Sequence, residues 1–211
     1  MKGLGFPSFY PIVDAEVLGR LSMDTARFVE ELRAAGIALL QYRNKTGAPQ
    51  DILRNAGLIR EMFAGSERRL ILNDRADLAV LAGWSGVHVG QEDLSPEDAR
   101  RVVGGELWVG VSTHTEEQVR LADASCADYV AVGPVFATGT KLDAAAVIGL
   151  EGVRRARELT TKPIVAIGGI TRRNARSAID AGADSVAVIS ALIVDGESVE
   201  KVTRDFLDVL R

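Results

Sequence analysis

Short apolar runs alternate with longer amphipathic stretches along the whole chain. Eight runs, at residues 9–13, 37–42, 70–73, 86–89, 107–111, 129–133, 164–168 and 185–189, are rich in Val, Ile and Leu with few polar breaks. That composition predicts strands covered on both faces, as in a parallel sheet. Helical periodicity fills the intervals, predicting helices over 23–35, 50–64, 76–82, 96–103, 116–124, 150–158 and 171–181. A last helix over 199–210 carries Val199, Val202, Phe206 and Val209 on one apolar stripe. Two helix starts are signposted, Ser95 before Pro96-Glu97 and Thr115 before Glu116-Glu117. A hydroxyl cap followed by proline or by carboxylates satisfies the exposed N–H groups and the positive end of the helix dipole.

One helix-to-strand turn recurs three times, as Ala82-Gly83-Trp84-Ser85-Gly86-Val87-His88-Val89, Ser125-Cys126-Ala127-Asp128-Tyr129-Val130-Ala131-Val132 and Ala181-Gly182-Ala183-Asp184-Ser185-Val186-Ala187-Val188. Repetition of this kind favours a symmetric barrel over an open sheet. Eight strand–helix units within 211 residues match a compact α/β fold, the (β/α)8 TIM barrel, with residues 1–211 forming one domain. A doubly wound sheet is the alternative; it needs a reversal of strand order, which a sequence does not display.

Composition narrows the function classes. The formal net charge is -4, which makes nucleic acid and anionic membranes poor partners, although a local basic cluster can still hold phosphate. The single cysteine, Cys126, excludes an intrachain disulfide and suits a reducing compartment. With no signal-peptide pattern at the N-terminus and no uninterrupted apolar run of about 18 residues, the expectation is a cytoplasmic protein. Paired Cys/His spacing for zinc is absent as well.

In a TIM barrel the reactive end lies at the C-terminal ends of the strands, and unusual polar residues collect there. Strand two ends Gln41-Tyr42-Arg43-Asn44-Lys45, and the period of two puts Gln41, Arg43 and Lys45 on the face of Ile37 and Leu39. A guanidinium and an ammonium together suit a diphosphate, unless they merely form a solvated loop. Strands three and four end Asn73-Asp74-Arg75 and Gly90-Gln91-Glu92-Asp93, placing Asp74 and Asp93 where neighbouring strands would let them share a Mg2+ ion with a phosphate. Helix capping accounts for Asp74 equally well, and for Asp93 less well because Ser95 is the nearer cap. Ser112 ends strand five as a candidate phosphate donor. The longest strand-to-helix break follows strand six and carries Thr138, Gly139, Thr140 and Lys141, in keeping with a binding loop. Gly168-Gly169 and Ile189-Ser190, after strands seven and eight, occupy the usual phosphate position of such barrels. His88, inside strand four, reads as a hydrogen-bonded core residue rather than a catalyst, and Cys126 as a small packing residue.

Read in order, these residues resemble the thiamin phosphate synthase family, also called thiamin-phosphate pyrophosphorylase. The match runs from about Gln41 to Ser190. Its most specific pieces are Gln41-Tyr42-Arg43-Asn44-Lys45, Asn73-Asp74-Arg75, Gly86-Val87-His88-Val89-Gly90-Gln91-Glu92-Asp93-Leu94, Gly110-Val111-Ser112-Thr113-His114 and Gly133-Pro134-Val135-Phe136 with Thr138-Gly139-Thr140-Lys141. The resemblance implies a pyrimidine diphosphate site at Gln41, Tyr42, Arg43, Asn44, Lys45, Asn73, Ser112 and Lys141. It implies Mg2+ ligands at Asp74 and Asp93, and a thiazole phosphate site at Thr138, Gly139, Thr140, Gly169, Ile189 and Ser190. Tyr42 stands where leucine is usual, and Ala137, Gly139 and Leu142 also depart from the family pattern. The implied reaction breaks the bond from the pyrimidine methylene to diphosphate, with Arg43, Lys45, Ser112 and Lys141 in catalytic roles, and the thiazole nitrogen then attacks the carbocation. Partners are small molecules, and homo-oligomerisation is left open. The rivals are a thiazole tautomerase on the same barrel and a non-catalytic phosphate-binding barrel.

Overall fold

The structure, a computed structural model, describes residues 6–139 and 146–211. Strands β1 (Phe9–Asp14), β2 (Leu39–Arg43), β3 (Arg69–Asn73), β4 (Gly86–Val89), β5 (Trp108–Thr113), β6 (Tyr129–Val132), β7 (Ile164–Ile167) and β8 (Ser185–Val188) are all parallel. They close in sequence order, with β8 pairing back onto β1. The helices are α1 (Ala15–Arg20), α2 (Thr25–Ala34), α3 (Pro49–Met62), α4 (Ala76–Leu81), α5 (Pro96–Val103), α6 (Glu116–Ala124), α7 (Gly149–Leu159), α8 (Ala175–Asp180) and α9 (Val199–Val209). This is the expected (β/α)8 barrel. Each expected strand is present, with ends shifted by at most two residues. Two short elements are additional: α1, started by Asp14 Oδ1 accepting from the Val17 N–H at 2.9 Å, and a 3-10 turn over Ser190–Leu192.

Two apolar layers result from the period of two. Side chains such as Val13, Leu40, Tyr42, Leu72, Val87 and Val130 point out of the barrel and pack against the helices, while Tyr10, Ile12, Leu39, Ile71, Tyr129, Val165 and Ala187 fill the lumen. Ile37 joins the outer layer, because β2 begins only at Leu39. Phe9 stacks on Phe206 at 5.1 Å between ring centroids, which docks α9 over the β8–β1 seam. The N-terminal end of the lumen is filled by Phe6 stacked on Trp108 at 5.3 Å, with the Arg69 guanidinium 3.9 Å from the Trp108 ring centroid.

The three-fold turn repeat has a physical cause. Ser85, Asp128 and Asp184 hold the same place in each copy. Their side-chain oxygens accept the N–H of Leu70 at 3.2 Å, Val109 at 2.7 Å and Ile164 at 2.7 Å, at the start of the preceding strand. Strand-start N–H groups left without such partners would carry a desolvation cost. Arg100 and Arg157 pair with Asp128 and Asp184, so two of the three copies are ion-paired too. Ser95 and Thr115 cap α5 and α6 as expected. Cys126 departs from expectation. It is exposed, because in this turn the adjacent Ala127 takes the buried packing position.

Gly110 makes room for the largest lumen side chain. A Cβ there would lie 2.0 Å from Tyr129 Cζ and 2.3 Å from its hydroxyl. Gly110→Ala is expected to destabilise the fold by about 3 kcal/mol through overpacking. Urea denaturation checks it, and an unchanged midpoint would show that the Tyr129 ring moves aside at little cost.

Candidate functional site

Toward the C-terminal ends of β1 to β5 the inward positions turn polar, bearing Asp14, Gln41, Arg43, Asn73, His88 and Ser112 in succession. The register that sets Asp14 beside Arg43 brings Asp14 Oδ2 to 2.6 Å from Arg43 Nη1. Glu16 Oε2 lies 3.2 Å from the same nitrogen, and Glu16 Oε1 accepts the backbone N–H groups of Lys45 at 2.6 Å and Thr46 at 3.0 Å. Burial opposes the Glu16 charge, but these N–H donors and Arg43 outweigh it and hold the carboxyl below its ordinary pKa. Both ion pairs engage Nη1, leaving the remaining edge of the guanidinium fork to face an anion. Asp14 and Glu16 were not among the residues singled out in the sequence. The available signal was an aspartate closing the strand-one run on the same period-two face as Tyr10 and Ile12.

Lys45 lies beyond the end of β2. Its side chain is half exposed, and Nζ stands 3.8 Å from Asp74 Oδ2. Asp74 itself has φ 62°, the left-handed region that aspartate and asparagine tolerate better than most residues. The Asp74 N–H donates to the His88 carbonyl at 2.8 Å, which turns the carboxyl back toward β4. There it meets Asp93, whose Oδ2 closes its own loop by accepting the Gly90 N–H at 2.8 Å. Neither carboxylate caps a helix: Arg75 precedes α4 without a side-chain cap, and Ser95 caps α5. Burial, followed by the hydrogen bond and negative charge of Asp93, raises the Asp74 pKa to about 6 against the pull of Lys45 and Arg43. Asp74 therefore keeps its proton to a higher pH than an ordinary aspartate, beside the Asp93 carboxyl. Among the described residues no set of three or more His, Cys, Asp and Glu converges, so a cation at this pair would complete its shell from water and a bound molecule, as Mg2+ commonly does.

The other sequence-predicted residues divide between the mouth and the wall. Gln41 is buried one layer below the mouth and donates to Tyr10 Oη at 3.0 Å. Ser112 Oγ lies 2.9 Å from His88 Nε2, and the Ser112 carbonyl accepts from Gln91 Nε2 at 2.6 Å. Asn73 ends β3 level with His88. Tyr42 points into the helix layer, tilted against Trp84, with its hydroxyl accepting from Asn55 Nδ2 at 2.8 Å and Asn44 Nδ2 at 3.3 Å. Tyrosine in place of leucine is thus a packing variation on the outer side of the sheet. Asn44 also accepts the Gly47 N–H at 2.8 Å and so shapes the loop instead of reaching inward.

A second cluster gathers after β6, β7 and β8. Val135 and Phe136 donate backbone N–H groups to the carbonyls of Ile167 and Gly168, both at 2.9 Å, so the loop leading to Thr138 and Gly139 is laid alongside the end of β7. Gly169 has φ 64°, and a Cβ there would lie 2.5 Å from the Ala137 carbonyl oxygen, so both its conformation and its surroundings demand glycine. Because β7 pairs with β8, Ile189 and Ser190 follow on the adjacent strand end. Thr140 and Lys141 lie outside the described residues.

The raised Asp74 pKa has a stability consequence of definite sign. The folded state holds the Asp74 proton more tightly than the unfolded chain between about pH 4 and 6, so this group's contribution worsens as pH rises through that window and is fully unfavourable at pH 7. In chelator-treated protein, Asp74→Asn, which keeps the left-handed backbone, is expected to stabilise by about 1 kcal/mol once solvent screening is allowed for. That corresponds to a rise of about 2–4 °C in Tm at pH 7.5. A fall in Tm would show that the carboxylate pair is net favourable without a cation.

The chain matches the family model described as thiamine monophosphate synthase over residues 9–192. It is 55% identical over 196 residues to a thiamine-phosphate synthase of Koribacter versatilis, covering 92% of each chain. To the thiamine-phosphate synthase of Methanosarcina mazei it is 38% identical over 203 residues, covering 96% of this chain and 82% of the relative. Among solved structures, the thiamine phosphate pyrophosphorylase of Pyrococcus furiosus superposes with a TM-score of 0.85 at 32% identity, covering 96% of this chain and 95% of that one. A KDPGal structure at 17% identity and TM-score 0.73 shares the fold alone. With the family model spanning nearly all of the barrel and relatives this similar end to end, the chain belongs to the thiamine monophosphate synthase family.

Proposed function

We infer that this chain joins a pyrimidine carrying a diphosphooxymethyl group to a thiazole phosphate, forming thiamin phosphate and releasing diphosphate. The observation that carries the reading is the Asp74–Asp93 carboxyl pair set beside Lys45 and Arg43 at the barrel mouth. A thiazole tautomerase has no diphosphate to bind and no use for this pairing. The donor set of two acidic oxygens fits Mg2+, with Asp74 and Asp93 as its protein ligands. Bound there, the ion would supply charge neutralisation to a departing diphosphate.

The chain's own residues account for the remainder. Arg43, pre-oriented by Asp14 and Glu16, presents a planar donor edge to diphosphate oxygens, and Lys45 adds a second cation that its weak pairing with Asp74 leaves free to shift. Lys141 is assigned to the leaving group through its motif. Stabilising charge as it develops on the diphosphate lowers the barrier to breaking the methylene–oxygen bond. Ser112, Gln41 and Asn73 line the pyrimidine side. Thr138, Gly139, Thr140, Gly169, Ile189 and Ser190 receive the thiazole phosphate, where the glycine backbone lets N–H groups approach an anion closely. Holding the thiazole nitrogen against the methylene supplies much of the remaining rate, and no protein nucleophile is required. No described helix is long and apolar enough to cross a membrane. We place the enzyme in the cytoplasm, in keeping with its lone cysteine and its biosynthetic family.

Incubation with both substrates and Mg2+ should yield equal amounts of pyrophosphate and thiamin phosphate; failure to form either overturns the reading. Thiazole isomerisation without pyrophosphate would indicate the tautomerase, and binding without turnover a phosphate-binding barrel. Asp93→Ala should lower kcat by about 10²-fold and raise the Mg2+ concentration needed for half-maximal rate. Unchanged kinetics would remove Asp93 from the metal site. Lys141→Ala should lower kcat by a similar factor of about 10² with KM for the thiazole phosphate little changed. A loss confined to that KM would move Lys141 to the thiazole side.

A further inference from the structure

A line of hydrogen bonds crosses the lumen beneath the mouth. Gln41 Nε2 donates to Tyr10 Oη at 3.0 Å, Tyr10 Oη lies 2.9 Å from Tyr129 Oη, Tyr129 Oη lies 3.0 Å from His88 Nδ1, and His88 Nε2 lies 2.9 Å from Ser112 Oγ. The line joins two residues assigned to the pyrimidine site, Gln41 and Ser112, through three that are not. Tyr10, Tyr129 and His88 are all buried, and four different strands contribute the chain from Tyr10 to Ser112. Burial also pushes both tyrosine hydroxyls well above their ordinary pKa, so each keeps its proton.

With Gln41 Nε2 facing Tyr10 Oη, the protons along this line run in one direction. Gln41 Nε2 can only donate, so the Tyr10 oxygen accepts. Among the described residues the Tyr10 proton then has one acceptor, the Tyr129 oxygen. Among the described residues, Tyr129 in turn has His88 Nδ1 to receive its own proton. If His88 instead carried a proton on Nδ1, a buried tyrosine O–H would be left without an acceptor and would bear its full desolvation cost. Nδ1 is therefore the acceptor, and Nε2 carries the hydrogen that Ser112 Oγ accepts.

We propose that His88 is a positioning residue for Ser112, held as the neutral Nε2–H imidazole by a one-way hydrogen-bond chain beginning at Gln41. With its oxygen occupied by His88, the Ser112 hydroxyl proton is directed outward, as a donor to an acceptor atom of the bound pyrimidine diphosphate. This rests on the function proposed above, in which Ser112 contacts that substrate. Gly110 belongs to the device, because only a residue without a side chain leaves the Tyr129 hydroxyl its place between Tyr10 and His88.

The chain has two histidines, and they should differ. His114 Nδ1 lies 2.6 Å from the Gly133 carbonyl, which can only accept, so His114 carries its hydrogen on Nδ1. Long-range ¹H–¹⁵N correlation on uniformly labelled, substrate-free protein at pH 7.5 should show one histidine of each tautomer, with His114→Gln assigning the pair. A His88 that is protonated on Nδ1, or on both nitrogens, overturns the proposal whatever the activity. Tyr129→Phe keeps the ring that packs against Phe6 and Trp108 but removes the hydroxyl, and it should abolish the fixed tautomer. In steady state it should lower kcat/KM for the pyrimidine diphosphate by about tenfold, the worth of one hydrogen bond near 1.4 kcal/mol. Placed on Ser112→Ala, the same change should cost little more, because the chain acts through that hydroxyl. Full additivity would mean that Tyr129 is merely structural and would overturn the proposal. A wild-type enzyme that forms no thiamin phosphate would instead overturn the functional reading, while the histidine spectrum would still test the hydrogen-bond chain.

Discussion

Closure of eight parallel strands forces every second side chain into one narrow lumen, and nearly everything specific to this molecule follows from how that lumen is filled. At the N-terminal end it is filled by rings, Phe6 on Trp108 with Arg69 over the indole. In the middle Tyr10 and Tyr129 span it, edge to face, and are accommodated because β5 contributes a glycine opposite. At the C-terminal end the same alternation delivers Asp14, Arg43, Asn73, His88 and Ser112. The floor of the site is therefore a rigid hydrogen-bonded layer rather than a solvent-filled pit. Polar groups standing on it are held in place from below.

The electrostatics of the mouth follow a division of labour. Asp14 is almost wholly buried, and its pairing with Arg43 leaves neither charge uncompensated inside the barrel. Asp74 and Asp93 are the opposite case, two like groups brought together so that Asp74 gives up its proton only near pH 6. Such an arrangement raises the energy of the free protein and favours whatever positive charge enters between the carboxyls. Stability is given up locally, at a place where a bound cation would recover it.

Much of this architecture was legible in the residues. Apolar runs of strand length separated by amphipathic stretches identified all eight strands, since a strand buried on both faces has few other compositions open to it. Hydroxyls ahead of Pro96 and Glu116 marked helix starts that the structure places at the same residues. The turn repeat was visible as a pattern, and only the folded chain showed that its Ser85, Asp128 and Asp184 satisfy the opening N–H of a neighbouring strand. Alternation also misled where a strand stopped. Lys45 was assigned to the face of Gln41 and Arg43, yet β2 ends at Arg43 and Lys45 reaches Asp74 from the loop instead.

The sequence by itself determined which residues could carry chemistry and that they would stand at the C-terminal ends of strands, because the succession of strands along the chain and the period of two are local properties. Tertiary structure decided their relationships. That Asp14 and Glu16 orient Arg43, that Asp74 turns from a possible helix cap to face Asp93, and that His88 joins Ser112 to Tyr129 are contacts between separate segments of the chain. Their geometry depends on register and on barrel closure, which no single segment encodes.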